Sequence, residues 1–160
     1  MIFYLDEMNV IETFYTAFAK GDWQTMETCY HPEATFNDEV FVDLKGKEVM
    51  GMWRMLLERS KGELDITHSH AVVDGQKGSA DWVAVYIFSS TGRRVINRIR
   101  AEFELKDDKI YRHTDSFNLH KWAGQAMGLK GKLIGGTSFF RKKVQKTARE
   151  GFDRYLNRNN

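Results

Sequence analysis

The sequence contains little cysteine, little proline and no long apolar run, and each scarcity excludes a class of protein. The single cysteine, Cys29, cannot form an intrachain disulfide, which fits a reducing compartment. One proline and 13 glycines without a repeat exclude collagen-like and low-complexity chains. No apolar run approaches the roughly 18 residues of a membrane span, and Met1–Glu7 lacks the basic region of a signal peptide. We therefore expect a cytoplasmic protein with no membrane partner.

Apolar and aromatic residues, by contrast, are plentiful. Hydrophobic residues make up 42% and aromatic residues 13% of the 160 residues, which is enough for one core and too apolar for a disordered chain. Eleven Phe, six Tyr and four Trp indicate a core or cavity walled by rings. The length predicts one domain with a terminal extension.

Charge is distributed unevenly along the chain. Residues 121–160 contain ten Lys or Arg and two Asp or Glu, whereas residues 1–120 contain fourteen Lys or Arg and twenty Asp or Glu. A basic tail can bind nucleic acid, but no recognised nucleic-acid motif accompanies this one, and we predict no nucleic-acid partner. We divide the chain into a body, residues 1–120, and a Gly-rich segment with a basic helix, residues 121–160, which packs on the body or on a partner.

The hydrophobic spacing of the first third predicts helices. An amphipathic helix is expected over residues 6–20, a short one from Trp23 that Pro32 closes, and a third over residues 47–60. Residues 34–36 and 40–44 resemble short strands. A Gly-rich stretch after Phe117 precedes a final helix that Thr137 or Ser138 caps.

The middle of the chain changes to a period of two. Residues 64–72, 80–88, 94–105 and 110–117 read as strands joined by short turns, which make neighbouring strands antiparallel. Helices followed by such a meander predict an α+β fold with the helices on one face of a curved sheet. Such a sheet encloses a cone-shaped cavity where polar groups can converge.

One acid stands out in the first third. Asp38 follows the run His31–Asn37 and precedes Val40-Phe41-Val42. A carboxylate among aromatic rings can have its pKa raised towards neutrality and then serve as a proton shuttle. The alternative is structural, because Asn37-Asp38 is also a favourable turn pair.

Several motifs together resemble a known family. These are Lys20-Gly21-Asp22, Tyr30-His31-Pro32-Glu33-Ala34-Thr35-Phe36-Asn37-Asp38, Leu44-Lys45-Gly46, His113-x-Asp115, and the positions Trp82, Tyr86, Asn97, Phe103, Phe117 and Trp122. Over residues 8–135 the chain is similar to the SnoaL-like polyketide cyclase branch of the nuclear-transport-factor-two-like superfamily, which includes relatives of ketosteroid isomerase. The resemblance implies the cone-shaped, cystatin-like fold and a convex sheet face that is commonly a dimer surface, hence a homodimer.

The resemblance also implies roles for individual residues. Asp38 matches the position of the isomerase general base, and Asp115 matches the acid/base of the cyclase branch, with His113 as its helper. The oxyanion-hole tyrosine falls on Phe14, with Tyr15 one place off, and the protonated acid of that hole falls on Ala101. In ketosteroid isomerase the two carboxyl groups are tuned separately by their environments, and its oxyanion donors are not matched here.

Whether Asp115 faces the cavity depends on strand register. A bulged turn at Asp107-Asp108 pairs Phe103 with His113 and Ala101 with Asp115, whereas a plain two-residue turn brings Ile110 and Arg112 inward. The resemblance favours the bulge, which would also turn Asn97 inward. In the alternative, Asp115 pairs with Arg98 or Arg100 on the outer surface.

Further residues are expected to line the cavity. The predicted ligand-binding residues are Phe36, Phe41, Trp53, His68, His70, Trp82, Tyr86, Asn97, Phe103, Phe117 and Trp122. His68 and His70 would share one strand face and, with His113 and Asp115, could bind zinc or iron. We favour pocket-wall histidines and predict no metal and no cofactor.

Two functions remain open from the sequence. The first is a small isomerase, cyclase or dehydratase in which Asp38 or Asp115 removes a proton from an apolar carbonyl compound and His113 returns it or polarises the oxygen. The second is a non-catalytic dimeric module that binds small apolar ligands, which the unmatched oxyanion donors favour.

Overall fold

Helices occupy both ends of the chain. The structure is a computed structural model that describes residues 7–160. The prediction that Met1–Glu7 is not a signal peptide therefore lies almost entirely outside the described residues, and so does the first residue of the helix predicted over residues 6–20. The helices are α1 (Val10–Ala19), α2 (Trp23–Cys29), α3 (Lys47–Ser60), α4 (Leu119–Met127), α5 (Leu129–Ile134) and α6 (Ser138–Arg158). Helix α1 begins later than predicted because the Asn9 side chain caps it, accepting from the Ile11 and Glu12 amides.

Six strands form one curved, mixed sheet, which confirms the predicted α+β class. They are β1 (Tyr30–Asn37), β2 (Leu44–Lys45), β3 (Asp65–Asp74), β4 (Lys77–Phe88), β5 (Arg93–Lys106) and β6 (Lys109–Ser116). Their order is β2-β1-β6-β5-β4-β3. The meander β3 to β6 is antiparallel as expected, and β1 joins β6 in parallel.

The main core lies between the inner face of this sheet and helices α1 and α3. Alternate residues of β4 and β5 face it, with Ala80 opposite Ala101 and Trp82 opposite Ile99. Phe14 and Phe36 are fully buried there. Aromatic side chains therefore fill the interior in which the sequence predicted an open cone-shaped cavity.

The register of β5 and β6 determines which side chains reach this interior. Phe103 pairs with His113 and Ala101 with Asp115, as the bulged alternative predicted. The bulge lies elsewhere, however. Asp107 and Asp108 both have positive φ and form a plain two-residue turn, and the register shifts beyond it, between Glu104 and Leu105. An extra residue in β6 there turns His113 and Asp115 inward.

The predicted strand over residues 40–44 is wrong except for Leu44. Residues 38–43 form a loop that the Asp38 side chain closes, because its Oδ1 accepts from the amides of Val40 and Phe41 at 2.7 and 2.6 Å. These amides are then unavailable to a strand partner, so the turn property of Asn37-Asp38 determines the backbone here.

The basic tail packs against its own body. Helix α6 contacts α3, where Phe152 and Leu156 pack against Gly51. Ion pairs join Arg141 to Glu39 and Arg149 to Glu48. Since Glu39 belongs to the 38–43 loop, α6 holds the loop that carries Asp38. None of the helices among residues 7–160 has the length and apolar character needed to cross a bilayer.

Candidate functional site

A histidine and an aspartate form a buried pair on the inner face of β6. His113 and Asp115 are 1% and 3% exposed, and His113 Nε2 lies 2.9 Å from Asp115 Oδ1. Their spacing of two residues places both side chains on one face of the strand. Arg100, which could have held Asp115 outside, instead pairs with Asp81 and Glu102.

The other imidazole nitrogen is also occupied. The Tyr30 hydroxyl lies 2.7 Å from His113 Nδ1 and accepts a hydrogen bond from Trp53 Nε1 at 2.9 Å. If the Tyr30 hydroxyl donates a hydrogen bond to Nδ1, the Nε2–H group of His113 is free to donate a hydrogen bond to Asp115. In this arrangement every N–H and O–H of the chain of hydrogen bonds has an acceptor, so we place the imidazole proton on Nε2.

Two buried polar atoms near this pair have no hydrogen-bond partner among the described residues. They are Asp115 Oδ2 and the Tyr15 hydroxyl. Asp115 Oδ1, by contrast, also accepts from Trp82 Nε1 at 3.4 Å. Burial, and secondarily the charge of Asp115, raises the pKa of Tyr15 well above its usual value, so Tyr15 remains a donor. The Tyr15 hydroxyl can therefore still donate one hydrogen bond, and Asp115 Oδ2 can still accept one.

Aromatic rings surround the imidazole of His113. Phe103 and Phe36 lie 4.4 and 4.9 Å from it between ring centroids, and Trp53 stacks at 6.0 Å. These three predicted ligand-binding residues thus converge on the predicted dyad. Four cavities of about 340 to 520 Å³ elsewhere are lined by residues other than His113, Asp115 and Asp38. A ligand at His113 would require some rings to move.

Asp38 provides a second carboxyl group in a different setting. It is partly buried in the 38–43 loop, and its hydrogen bonds to backbone amides use Oδ1. Desolvation raises its pKa to about 7, opposed by these hydrogen bonds and aided by the charges of Asp115 and Glu39. A carboxyl group with this pKa exchanges protons readily near neutral pH.

The charge of Asp38 acts on Tyr86, which is hydrogen-bonded to Trp122. Burial raises the pKa of Tyr86, with a smaller contribution from the charge of Asp38. The Tyr86 hydroxyl accepts from Trp122 Nε1 at 2.7 Å, and Trp122 meets Phe88 edge to face. Helix α4 therefore covers this edge of the cone through two of the predicted ligand-binding residues.

The prediction that His68 and His70 share a strand face is wrong. His68 stacks on Tyr15 at 5.5 Å on the inner side, whereas His70 lies at a bulge with φ of 53° and pairs with Asp81 on the outer side. The alternative of a zinc or iron site using both histidines therefore loses its geometry. Within residues 7–160, no three His, Cys, Asp or Glu side chains cluster as metal ligands would.

The remaining predicted residues lie at the edges of the interior. Phe41 packs against Phe152 of α6 rather than His113. Asn97 is opposite Ala84 on the inner face of the sheet, as expected. Phe117 contacts both the main core and a smaller cluster around Leu119, Ala123 and Phe140.

Two polar residues of the site were not assigned a role from the sequence. Tyr30 stands in the quoted motif, and its place at the start of β1 beside β6 could have indicated contact with His113. Tyr15 was noted only as one place from the oxyanion position. The helical stripe of α1 that contains Tyr15 was the available signal.

The fold, together with the buried pair His113 and Asp115, indicates the class to which the protein belongs. A curved sheet wrapped on helices is the nuclear-transport-factor-two-like fold, and in this chain its concave face carries the buried pair His113 and Asp115. The chain belongs to the SnoaL-like domain family, whose model matches residues 11–113. A comparison with curated proteins gives no match.

Solved structures support this fold assignment. A proposed polyketide cyclase from Xanthomonas campestris pv. campestris is 22% identical, with a TM-score of 0.58 over 72% of this chain and 93% of that one. An epoxide hydrolase of the LEH-like type from M. tuberculosis is 20% identical, with a TM-score of 0.56 over 79% and 88%. A protein with a ketosteroid isomerase-like fold from Catenulispora acidiphila is 13% identical, with a TM-score of 0.61 over 77% of this chain and 95% of that one.

Proposed function

We propose that this protein is a small acid/base enzyme that removes a proton from the carbon next to the carbonyl of an apolar compound. Isomerisation, aldol cyclisation and dehydration all begin with this step. The observation that carries the proposal is Asp38, whose raised pKa, about 7, leaves its carboxyl poised between base and acid at neutral pH. The names of the similar structures include cyclase and epoxide hydrolase, which agree with small-molecule chemistry in this fold.

Tyr15 is suited to the oxygen of such a substrate. Removing the proton creates negative charge on the carbonyl oxygen, which a buried hydrogen-bond donor stabilises. The Tyr15 hydroxyl is buried, protonated and without a partner among the described residues. It thus offers the donor that the Phe14 position lacks.

Asp115 and His113 have different parts in this proposal. Asp115 Oδ2 has no partner within residues 7–160 and can accept a hydrogen bond from a substrate hydroxyl, such as that of an aldol or of an alcohol to be dehydrated. His113 has both nitrogens engaged, by Tyr30 and Asp115. We therefore propose His113 as a positioning residue that orients Asp115, rather than as a group that touches the substrate.

The alternative is a homodimeric, non-catalytic binder of apolar molecules. Phe36, Trp53 and Phe103 pack densely around His113, and this favours the alternative because the rings occupy the space that a substrate at His113 would need. A binder would retain affinity for apolar ketones without exchanging their protons.

Deuterium exchange tests the shared first step without knowledge of the product. A panel of apolar ketones and β-hydroxyketones is incubated with the protein in D₂O, and incorporation next to the carbonyl is followed by NMR. We expect Asp38→Asn to lower exchange by about 100-fold or more, the scale of a lost general base. Asp43→Asn, in the same loop but exposed, is the matched control.

The outcomes separate the two candidates. Exchange that is lost in Asp38→Asn and retained in Asp43→Asn supports the enzyme. Saturable ketone binding by NMR line broadening, with exchange equal in wild type and Asp38→Asn, contradicts it and favours the binder.

A further inference from the structure

Three large apolar side chains protrude from the corner formed by α5 and the start of α6. Leu129, Leu133 and Phe139 are 73%, 74% and 72% exposed, the highest values among the exposed large hydrophobic residues described. Leu129 and Leu133 lie four residues apart and so share one face of α5. Their neighbours Ile134 and Phe140 instead pack in the small cluster beneath α4. We refer to the three exposed residues as the apolar corner.

Close packing of backbone holds this corner in place. A Cβ atom on Gly131 would lie 1.9 Å from the carbonyl oxygen of Ala123, so α5 can approach α4 only with glycine at that position. His120 Nε2 lies 2.7 Å from the Lys132 carbonyl oxygen and adds a second tie between the helices. The exposed leucines therefore belong to a fixed helix pair.

The surroundings of the apolar corner are strongly cationic. Residues 116–149 contain eight Lys or Arg and no acid, and of these Arg141 and Arg149 form ion pairs with Glu39 and Glu48 of the body. A cavity of about 470 Å³ between α4, α5 and the start of β5 is lined by Arg93, Lys121 and Lys132 together with His120 and uncharged residues. Arg93 donates from Nε to the Gln125 carbonyl oxygen at 2.8 Å, which fixes its guanidinium beside Gly128.

We propose that the apolar corner and this cationic cavity form a docking surface for an anionic lipid bilayer. Leucine and phenylalanine side chains enter the boundary between headgroups and acyl chains, while lysine and arginine attract the anionic headgroups. The corner and the cavity share helix α5, through Leu129 and Leu133 on one side and Lys132 on the other, and residues 116–149 themselves contain no acid. The cavity has the cationic lining to accept a headgroup phosphate.

This proposal departs from the sequence-based expectation of no membrane partner, which considered spanning segments alone. It does not depend on the proposed chemistry of the cone. The corner lies in residues 119–160, beyond the segment that the family model matches. A second copy of the chain, whose body is acidic, is the competing occupant, and the experiment below distinguishes it.

Vesicle co-sedimentation of the full chain tests the proposal. Vesicles of phosphatidylcholine with phosphatidylglycerol are compared with vesicles of phosphatidylcholine alone, at low and high salt. We expect binding to the anionic vesicles that high salt weakens, and about a tenfold or larger loss in the triple variant Leu129→Ser, Leu133→Ser, Phe139→Ser. The matched control is Val72→Ser with Ile87→Ser, two exposed apolar residues on strands.

A second variant separates charge from apolar contact. Lys130→Gln, Lys142→Gln and Lys143→Gln should weaken binding to anionic vesicles and leave the fold intact, since all three are exposed. Absence of binding to anionic vesicles, or equal binding by wild type and the triple serine variant, would overturn the proposal. So would a dimer that the serine variant dissociates in the absence of any vesicle binding, because a second copy would then occupy the corner.

Discussion

Two aspartates of the same protein occupy contrasting environments. Asp115 lies on a strand, fully enclosed, with one oxygen held by His113 and Trp82. Asp38 lies in a loop at the edge of the cone, partly exposed, with one oxygen held by two backbone amides. The strand fixes Asp115 through side chains distant in sequence, whereas Asp38 fixes its own loop. The orientation of Asp115 therefore depends on tertiary contacts, whereas Asp38 is placed by local contacts and, with its raised pKa, can change its protonation near neutral pH.

The contrast also gives the two carboxyl groups different roles in the proposed site. A group that moves a proton should titrate near the working pH, which the raised pKa of Asp38 provides. A group that orients a substrate should be rigid, which the hydrogen-bonded chain from Trp53 through Tyr30 and His113 to Asp115 provides. Substitutions at the interior pair and at the loop should separate these two roles.

Removal of the imidazole should be most damaging to stability. His113→Ala leaves a cavity among several rings and removes the hydrogen-bond partner of the Tyr30 hydroxyl and of the Asp115 carboxyl group. We therefore expect the free energy of unfolding to fall by about 3–5 kcal/mol, as for the loss of a buried ring. Urea denaturation measures it. The control is His31→Ala, because His31 lies on the neighbouring strand β1 and contacts Tyr111 outside the core. This variant should lower the free energy of unfolding by less than about 1 kcal/mol. Equal losses in the two variants would contradict the contrast between interior and edge.

The hydroxyl of Tyr30 should have an intermediate effect. Tyr30→Phe removes the oxygen that joins Trp53 Nε1 to His113 Nδ1 and leaves both buried groups unpaired, at a cost of about 1–3 kcal/mol. Thermal unfolding of Tyr30→Phe and of Tyr111→Phe, a partly buried tyrosine near the surface, makes the comparison. The Tyr111 variant should stay within about 0.5 kcal/mol of wild type. A neutral Tyr30→Phe would show that the chain of hydrogen bonds is not a stabilising unit.

The loop carboxylate should make stability depend on pH. Between about pH 4 and 7 the folded state keeps a proton on Asp38 that the unfolded chain has released, so stability falls as the pH rises through this window. Asp38→Asn should remove this fall and gain about 1–3 kcal/mol relative to wild type at pH 8, solvent at the partly exposed carboxyl limiting the gain. Denaturation at a series of pH values measures it, with Asp43→Asn as control. A parallel pH dependence in wild type and Asp38→Asn would contradict the assignment.

The smallest effect should come from α6. Arg141→Gln removes the partner of Glu39, whose charge already raises the pKa of Asp38. We expect the pKa of Asp38 to rise by a few tenths of a unit and stability to change by less than about 1 kcal/mol. Carboxyl-carbon NMR titration measures the shift, and Arg149→Gln, which frees Glu48 instead, should leave it unchanged. A downward shift would show that Arg141 does not shield Glu39.

Much of the fold follows from local sequence signals. The apolar spacing of residues 47–60 matches the bounds of α3, and Thr137 caps α6 as expected, accepting from the Phe140 amide. The pairing of Phe103 with His113 also follows from the resemblance, although the bulge that produces it lies in the ladder and not in the turn. A bulge of one residue leaves little signal in a sequence, because its cause is the packing of both faces.

Where the sequence misled, tertiary contacts outweighed local pattern. The sequence predicted only a Gly-rich stretch before the final helix, yet α4 and α5 form there, and Gly131 lets these two helices pack at close range. The bulge at His70 separates it from His68. The hydrogen bond between Tyr30 and His113 joins residues 83 positions apart, and it becomes visible only when β1 is known to pair with β6.

The most direct test of the proposed division is the pKa of Asp38, measured by carboxyl-carbon NMR on protein labelled at aspartate and assigned with Asp38→Asn. We expect one aspartate resonance that titrates at about pH 7 and is missing from the spectrum of Asp38→Asn. An Asp38 resonance that titrates near pH 4, the ordinary range of an aspartate, would contradict it.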